Sequence, residues 1–436
     1  MKSMKRIVLL FFAFISGIAA FAQSADSLAG KYLNESDWFR LQTLYRSDST
    51  RMSPFIRCFS KTMLAQFFNQ PAQANAAIRQ LLSGYQAEMG FGNVSSMMTL
   101  MGKNLSRLGQ NKEAGQLLRK FIAQLQGKVD DKITAPFVAQ AERYEALARY
   151  NVNHLTTQND NNPVDFELKE VGDSGQVLMF MKGKINGKTN DFIFDTGAGY
   201  NVITPELAQK YGLELLEGSI KTEGTRVLQG RIAMAKQLVL GNIKLENVPF
   251  LVLDVTQGNE LIKGMTAPLQ LIIGQPTLRL FDKYSIDFAN RQIVFTRNAA
   301  RQDVESNLVL TGSDIMQVNV SKDGRMFPLT IDTGATTSSM GTDYYKDFTA
   351  EVTRHGKWDI KGGSGYGGIV YNSVFVMPSI SFAIGGKDIT MHKIPVTAIS
   401  SEANAIQSGY GRLGLDFFRQ CRRVEIDNVN MTFHIH

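Results

Sequence analysis

The sequence predicts a mainly β protein of two like β lobes, preceded by an α-helical N-terminal domain. Three observations carry that expectation. Between residues 24 and 155 apolar residues recur every three or four positions and β-branched residues are sparse, which is a helical pattern. Beyond about residue 161 the texture changes to short β-runs separated by turns, and it stays so to the C-terminus. Within that second part the tetrapeptide D-T-G-A occurs twice, at Asp195 and Asp332, with its surroundings repeated in register.

The first element is a leader. Lys2, Lys5 and Arg6 precede the apolar stretch 7–19, and Ala20-Phe21-Ala22 fits an A-x-A cleavage site. Residues 1–22 therefore read as a secretory signal peptide, and the protein is expected to be exported, periplasmic or secreted. The apolar stretch falls short of the ~20 residues that span a bilayer, and no later segment reaches that length, so no integral membrane segment is expected after cleavage. At 44% hydrophobic and 20% charged the composition is that of a globular protein. The formal charge of +7 includes three leader cations. The remaining excess, without a basic-aromatic stripe, gives no argument for nucleic acid. Cys58 and Cys421 are too few for a metal framework; a disulfide and two unpaired thiols both remain open.

The helical domain is expected over residues 23–160. Two of its stretches echo each other at an offset of 40: `NQPAQANAAIRQLL` (69–82) and `GQNKEAGQLLRKFI` (109–122). The echo resembles a tetratricopeptide-type helix pair with few of that family's marker residues. A helical accessory domain is the preferred reading, because such repeats usually need three or more units to bury their faces. The polar stretch `HLTTQNDNNPVDF` (154–166) reads as its boundary.

The β part follows as two lobes, expected at 161–300 and 301–436. In each, a strand, an Asn-Gly or Asp-Gly turn and a second strand lead to the aspartate; Gly187 and Gly324 both stand eight residues ahead of it. Such turns between apolar runs are strong hairpin signals. A short helix is expected after each aspartate, opened by Thr204-Pro205 in one lobe and Thr342-Asp343 in the other. Glycine-bearing stretches follow, and each lobe closes on an apolar run, a glycine and two strands. Gly274 and Gly414 are 140 positions apart, as are Asp287 and Asp427, so the whole module is duplicated.

A duplicated aspartate suits one chemistry well. Hydrolysing a peptide bond without a metal or a covalent nucleophile needs a base to take a proton from water and an acid to protonate the carbonyl oxygen. Two carboxyls about 3 Å apart cannot both ionise, so one stays charged and the other neutral, and together they serve both needs. Gly197 and Gly334 are expected to let the backbone turn sharply behind each carboxylate, Thr196 and Thr333 to hydrogen-bond across the junction, and the apolar residues Ile193, Phe194 and Ile331 to seat each aspartate at the end of a buried strand.

With `FIFDTGA`, `LTIDTGA`, `LIIG` and `NVPFLVLD` in view, residues from about 165 to 436 resemble the aspartic peptidases of the retropepsin and pepsin type, as a single-chain protein with two retropepsin-like lobes of the bacterial exported kind. The resemblance implies acid-protease β-barrel lobes about a pseudo-twofold axis and a peptide or protein substrate in a cleft. It makes Asp195 and Asp332 the catalytic pair, with Thr196, Gly197, Ala198, Thr333, Gly334 and Ala335 as the supporting loops. Hairpin flaps would lie near Gly224–Gly230 and Gly362–Gly368, with Gly224, Thr225, Gly365 and Tyr366 as flap candidates. Two departures stand out. Alanine follows each D-T-G, and Gly411-Arg412-Leu413-Gly414 stands where two apolar residues should precede glycine.

Rival readings are weaker. `IDTGATTSS` superficially matches a phosphate loop, but no nucleotide-binding helix pattern follows it. `GSGYGG` precedes a strand, not a helix. The five histidines show no metal-ligand spacing and there is no G-x-S-x-G elbow, so neither metal nor cofactor is expected. The serious competitor is a catalytically lapsed peptide-binding or scaffold module whose helical domain contacts a protein partner. Residues 24–160 acting as a propeptide-like cover is a third possibility.

Overall fold

Helix-initiating chemistry punctuates the first unit of the chain, Met1–Tyr150. The computed structural model describes residues 24–171, 175–218, 220–223, 227–254, 267–365, 368–398 and 409–436; the leader expected at 1–22 lies outside them. Ser24 accepts from the Ser27 amide and Asp37 from the Arg40 amide, and Pro54 and Pro71 stand in the first turns of their helices. The helices run Ala25–Glu35, Trp38–Asp48, Pro54–Phe67, Pro71–Gly84, Gln86–Arg107, Asn111–Leu125 and Asp131–Leu147. The two echoed stretches form the fourth and sixth of these. Ala74 and Ile78 in one, and Ala114 and Leu118 in the other, are fully buried at the positions that match. Inside this helical layer the Asn104 amide donates to Gln66 Oε1 at 2.7 Å, which satisfies two buried polar groups with each other.

The second unit, Asn151–His436, is β-rich and built on two sheets. The polar segment expected to be a boundary belongs inside it. His154–Leu155 pairs with the strand Ile243–Val252, and Asn161–Val171 pairs with both Gln176–Ile185 and Gln292–Thr296. Strands carry the segment because its side chains alternate: Asn162, Val164 and Phe166 point inward while their neighbours are exposed. The hairpins ahead of each aspartate form as expected. Ile185 faces Lys188 across Asn186-Gly187, and Lys322 faces Arg325 across Asp323-Gly324. All four turn residues have positive φ, between 48° and 81°, the backbone that a two-residue hairpin needs to match strand twist.

The division of the β part at residue 300 is not clean. Lys283–Asp287 pairs antiparallel with Arg423–Asp427, so the last two strands of the chain join the sheet built mostly from residues 161–296. In that pairing Ser285 faces Glu425, its own counterpart 140 residues on, and Lys283 and Asp287 face Asp427 and Arg423. The duplicated aspartates close like turns: Asp287 accepts from the Asn290 amide and side chain, and Asp427 from those of Asn430.

Both short helices behind the D-T-G-A loops are present, Pro205–Lys210 and Thr342–Asp347. Their caps differ from expectation. Thr204 stands at the cap position without a side-chain cap bond, while the second helix is preceded by Gly341 and takes Thr342 into its first turn. Cys58 and Cys421 are both free thiols.

Candidate active site

Each aspartate emerges from a buried strand under a second strand that pins it. In the first half, Phe192, Ile193 and Phe194 are inaccessible to solvent at the end of Lys188–Phe194. Leu271–Ile273 runs parallel to that end, Ile272 beside Ile193, and the Asp195 amide donates to the Ile273 carbonyl at 3.0 Å. The chain then passes beneath the loop at Gly274. A Cβ there would lie 2.4 Å from the Tyr200 carbonyl oxygen and 2.6 Å from that of Ala198, so only glycine fits. Asn201 Oδ1 accepts from the Gly274 amide and from Thr277 Oγ1, both at 3.0 Å, while the Gln275 side chain donates to the Thr196 carbonyl at 2.7 Å.

The second half repeats this plan with other atoms. Ile331 is buried, Leu413 lies beside it in parallel register, and the Asp332 amide donates to the Leu413 carbonyl at 3.0 Å. Gly414 passes under the loop, where a Cβ would be 2.5 Å from the backbone of Thr337. Its amide donates to Ser338 Oγ at 2.8 Å. Asn201 and Ser338 both stand six residues past an aspartate. Neither was singled out from sequence, although a polar residue repeated at that offset inside an apolar module was the available signal.

The two loops are tied to each other by threonine. Thr196 Oγ1 donates to the Ile331 carbonyl at 2.9 Å and accepts from the Thr333 amide at 3.0 Å. Thr333 Oγ1 donates to the Phe194 carbonyl at 2.8 Å and accepts from the Thr196 amide at 3.0 Å. Both threonines are fully buried, so these four bonds exchange no partner with water. The expected junction is there, and it is reciprocal.

The glycines serve this closeness differently from expectation. Neither Gly197 nor Gly334 has positive φ, so backbone freedom is not what they supply. A Cβ on Gly197 would meet Asp332 Cγ at 2.5 Å, and one on Gly334 would meet Asp195 Cγ at 2.3 Å. Each loop presents its bare glycine to the opposite carboxylate. Asp195 Oδ1 accepts from the Gly197 amide at 2.8 Å, whereas Asp332 Oδ1 accepts from the Ala335 amide at 3.0 Å. Asp332 Oδ2 also meets Arg412 Nη1 at 3.3 Å. Burial first, and then the charge of Asp332, raise the Asp195 carboxyl well above the usual carboxylate range, to about 8; the Gly197 amide and Arg412 oppose them. A charged carboxylate beside a protonated one can accept a proton and give one in the same step.

The structure therefore brings together Asp195, Thr196, Gly197, Ala198, Asp332, Thr333, Gly334 and Ala335. The flap candidates Gly224, Thr225 and Tyr366 lie outside the described residues. Of the described neighbours, Ile220–Glu223 pairs with residues 227–230, and Lys357–Gly365 pairs with the strand Gly368–Ile384. Among the described residues no three His, Cys, Asp or Glu side chains cluster as a metal site, and no helix is long and apolar enough to cross a membrane.

The family model described as aspartyl protease matches residues 181–277, which takes in Asp195 and Gly274 and stops short of Asp332. No curated protein matches the chain. Among solved structures, the basic 7S globulin from soybean is similar at 10% identity and a TM-score of 0.39, covering 63% of this chain and 96% of its own. Conglutin gamma, a basic 7S globulin from lupine seeds, is similar at 8% identity and a TM-score of 0.37, covering 62% and 93%.

Proposed function

We propose that the protein is an aspartic endopeptidase in which Asp195 and Asp332 share one proton and activate a water against a peptide bond. The observation that carries this reading is the reciprocal threonine junction, which holds two carboxyls from separate halves of one chain against each other's glycine. The charged member of the pair takes a proton from water while the neutral member protonates the carbonyl oxygen of the scissile bond. The roles reverse as the amine leaves.

Two further readings accompany it. The β-rich unit is read as two retropepsin-like lobes about a pseudo-twofold axis, which is supported by the pairing of Ser285 with Glu425 and by the repeated Asp287 and Asp427 turns. With both halves in one chain, no second copy is needed to complete the pair. The chain is further read as exported after loss of residues 1–22, with the helical unit as an accessory domain able to meet a protein partner.

The test is cleavage of a mixed peptide library across pH. The reading expects internal cleavage with a bell-shaped dependence of kcat/KM on pH and no loss on adding a chelator. Cleavage indifferent to pH, or abolished by a chelator, rules the dyad mechanism out.

A further inference from the structure

The two halves differ at one position that touches the carboxylates. In the first half the strand beneath the aspartate loop is Leu271–Ile273, and Ile272, beside Ile193, is buried. In the second half the same register position, beside Thr330, is Arg412. Its guanidinium reaches over the strand end to Asp332 Oδ2 at 3.3 Å and keeps 35% of its side-chain surface exposed. Both oxygens of Asp332 thereby face donors, Ala335 N on one and Arg412 Nη1 on the other. Asp195 receives one amide, from Gly197; Asp332 beside it opposes its ionisation, and Arg412, whose direct contact is with Asp332, favours it. Donors favour the charged form of a carboxyl, so the pair is unequal by construction.

Among the described residues, the charged side chains Asp416 and Asp314 on neighbouring elements are already engaged. The helix Leu415–Phe418 brings Asp416, whose Oδ1 accepts from Ser338 N, Ser338 Oγ and Phe417 N. The turn ahead of Met316 brings Asp314, paired with Arg279 at 3.1 Å. Leu271–Ile273 and Gln275–Leu278 bring no charge.

We infer that Arg412 is a positioning residue for charge: it holds the negative charge on Asp332, leaves the shared proton on Asp195, and so sets the pH range in which the pair is competent. The inference rests on the peptidase reading for its consequence, though not for its geometry. A fixed cation beside the pair favours the singly charged form over the neutral one, and the doubly charged form over the singly charged one. Both apparent ionisations therefore lie lower with Arg412 than without it, and they belong to the pair rather than to either aspartate. An opposite charge beside a carboxyl favours its charged form, and the partial exposure of Arg412 moderates that effect.

The experiment compares full-length wild type with Arg412→Ile, which installs the residue type of the first half, Arg412→Gln, which keeps polarity without charge, and Arg412→Lys, which keeps the charge. Two readouts are taken: the pH profile of kcat/KM on a peptide that wild type cleaves, and the titration of ¹³Cγ-labelled aspartates by NMR. The expected result is that both limbs of the profile move up by about one pH unit in the Ile and Gln variants, and that Lys restores at least half of the shift. A uniform loss of rate with both limbs unmoved would mean that Arg412 is merely structural, and overturns the inference. If wild type cleaves no peptide, the NMR titration decides. Carboxyl midpoints that rise in the neutral variants uphold the role of Arg412 and sink the peptidase reading alone; midpoints that stay put overturn the role of Arg412. Should Arg412→Ile not fold, the Gln and Lys pair gives the same decision.

Discussion

Thr196→Val is the perturbation that most nearly isolates the junction between the loops. Valine keeps the branched shape and deletes only Oγ1, which donates to the Ile331 carbonyl at 2.9 Å and accepts from the Thr333 amide at 3.0 Å. Thr196, Thr333 and Ile331 are all inaccessible to solvent, so water cannot replace the lost oxygen. Leaving a buried donor or acceptor unpaired costs about 1–3 kcal/mol each, which puts the substitution, with two such groups, at about 2–6 kcal/mol. Thr196→Ser keeps the oxygen and loses one methyl, for about 1 kcal/mol. Hydrogen exchange by mass spectrometry on peptides covering the two loops, with urea unfolding followed by circular dichroism, reads both quantities. Val should strip protection from both loops, the second as much as the first, while Ser leaves it in place. Equal effects of Val and Ser, or loss confined to the mutated loop, would mean that the threonine oxygen does not tie the two loops together.

Three more outcomes follow from the geometry. Gly334→Ala places a methyl 2.3 Å from Asp195 Cγ, and Gly197→Ala one 2.5 Å from Asp332 Cγ, so each should push the carboxyls apart and abolish cleavage while circular dichroism stays native. Asn201→Leu removes the acceptor for the Gly274 amide and the Thr277 hydroxyl, and should destabilise the β-rich unit by about 2–4 kcal/mol in urea unfolding. The raised Asp195 carboxyl gives stability a definite pH sign: the folded state binds a proton that the unfolded state releases, so stability is full below the unfolded carboxyl range and falls as pH rises toward about 8. Asp195→Asn removes that loss, and its Tm should match wild type near pH 3.5 and exceed it increasingly up to pH 8; a constant difference across pH would contradict the cause.

What was legible in the sequence was whatever depends on local chemistry. Asn186-Gly187 and Asp323-Gly324 specify their hairpins because few other residues accept positive φ at both positions. The offset of 140 between Gly274 and Gly414 marks two sites where a side chain has no room. What was hidden depends on which atoms meet across the fold. Gly197 reads as a turn residue, but its reason is the carboxylate of a residue 135 positions on. Arg412 reads as a departure where an apolar residue is expected, whereas its guanidinium reaches Asp332. The stretch 154–166 reads as a boundary because its composition is polar, and its second half becomes part of the strand Asn161–Val171 because two other strands pair with it. Polar composition is a weak guide where alternation already divides a strand between core and solvent.

In the proposed mechanism the two aspartates act as one group. Its most direct test sets wild type beside Asp195→Asn and Asp332→Asn on the same peptide library between pH 4 and 7, with products identified by mass spectrometry. Asparagine keeps the shape of each side chain and ends the sharing of a proton. Wild type should cleave, and each single substitution should lower the rate by several orders of magnitude. Either variant cleaving at a rate near wild type would contradict it.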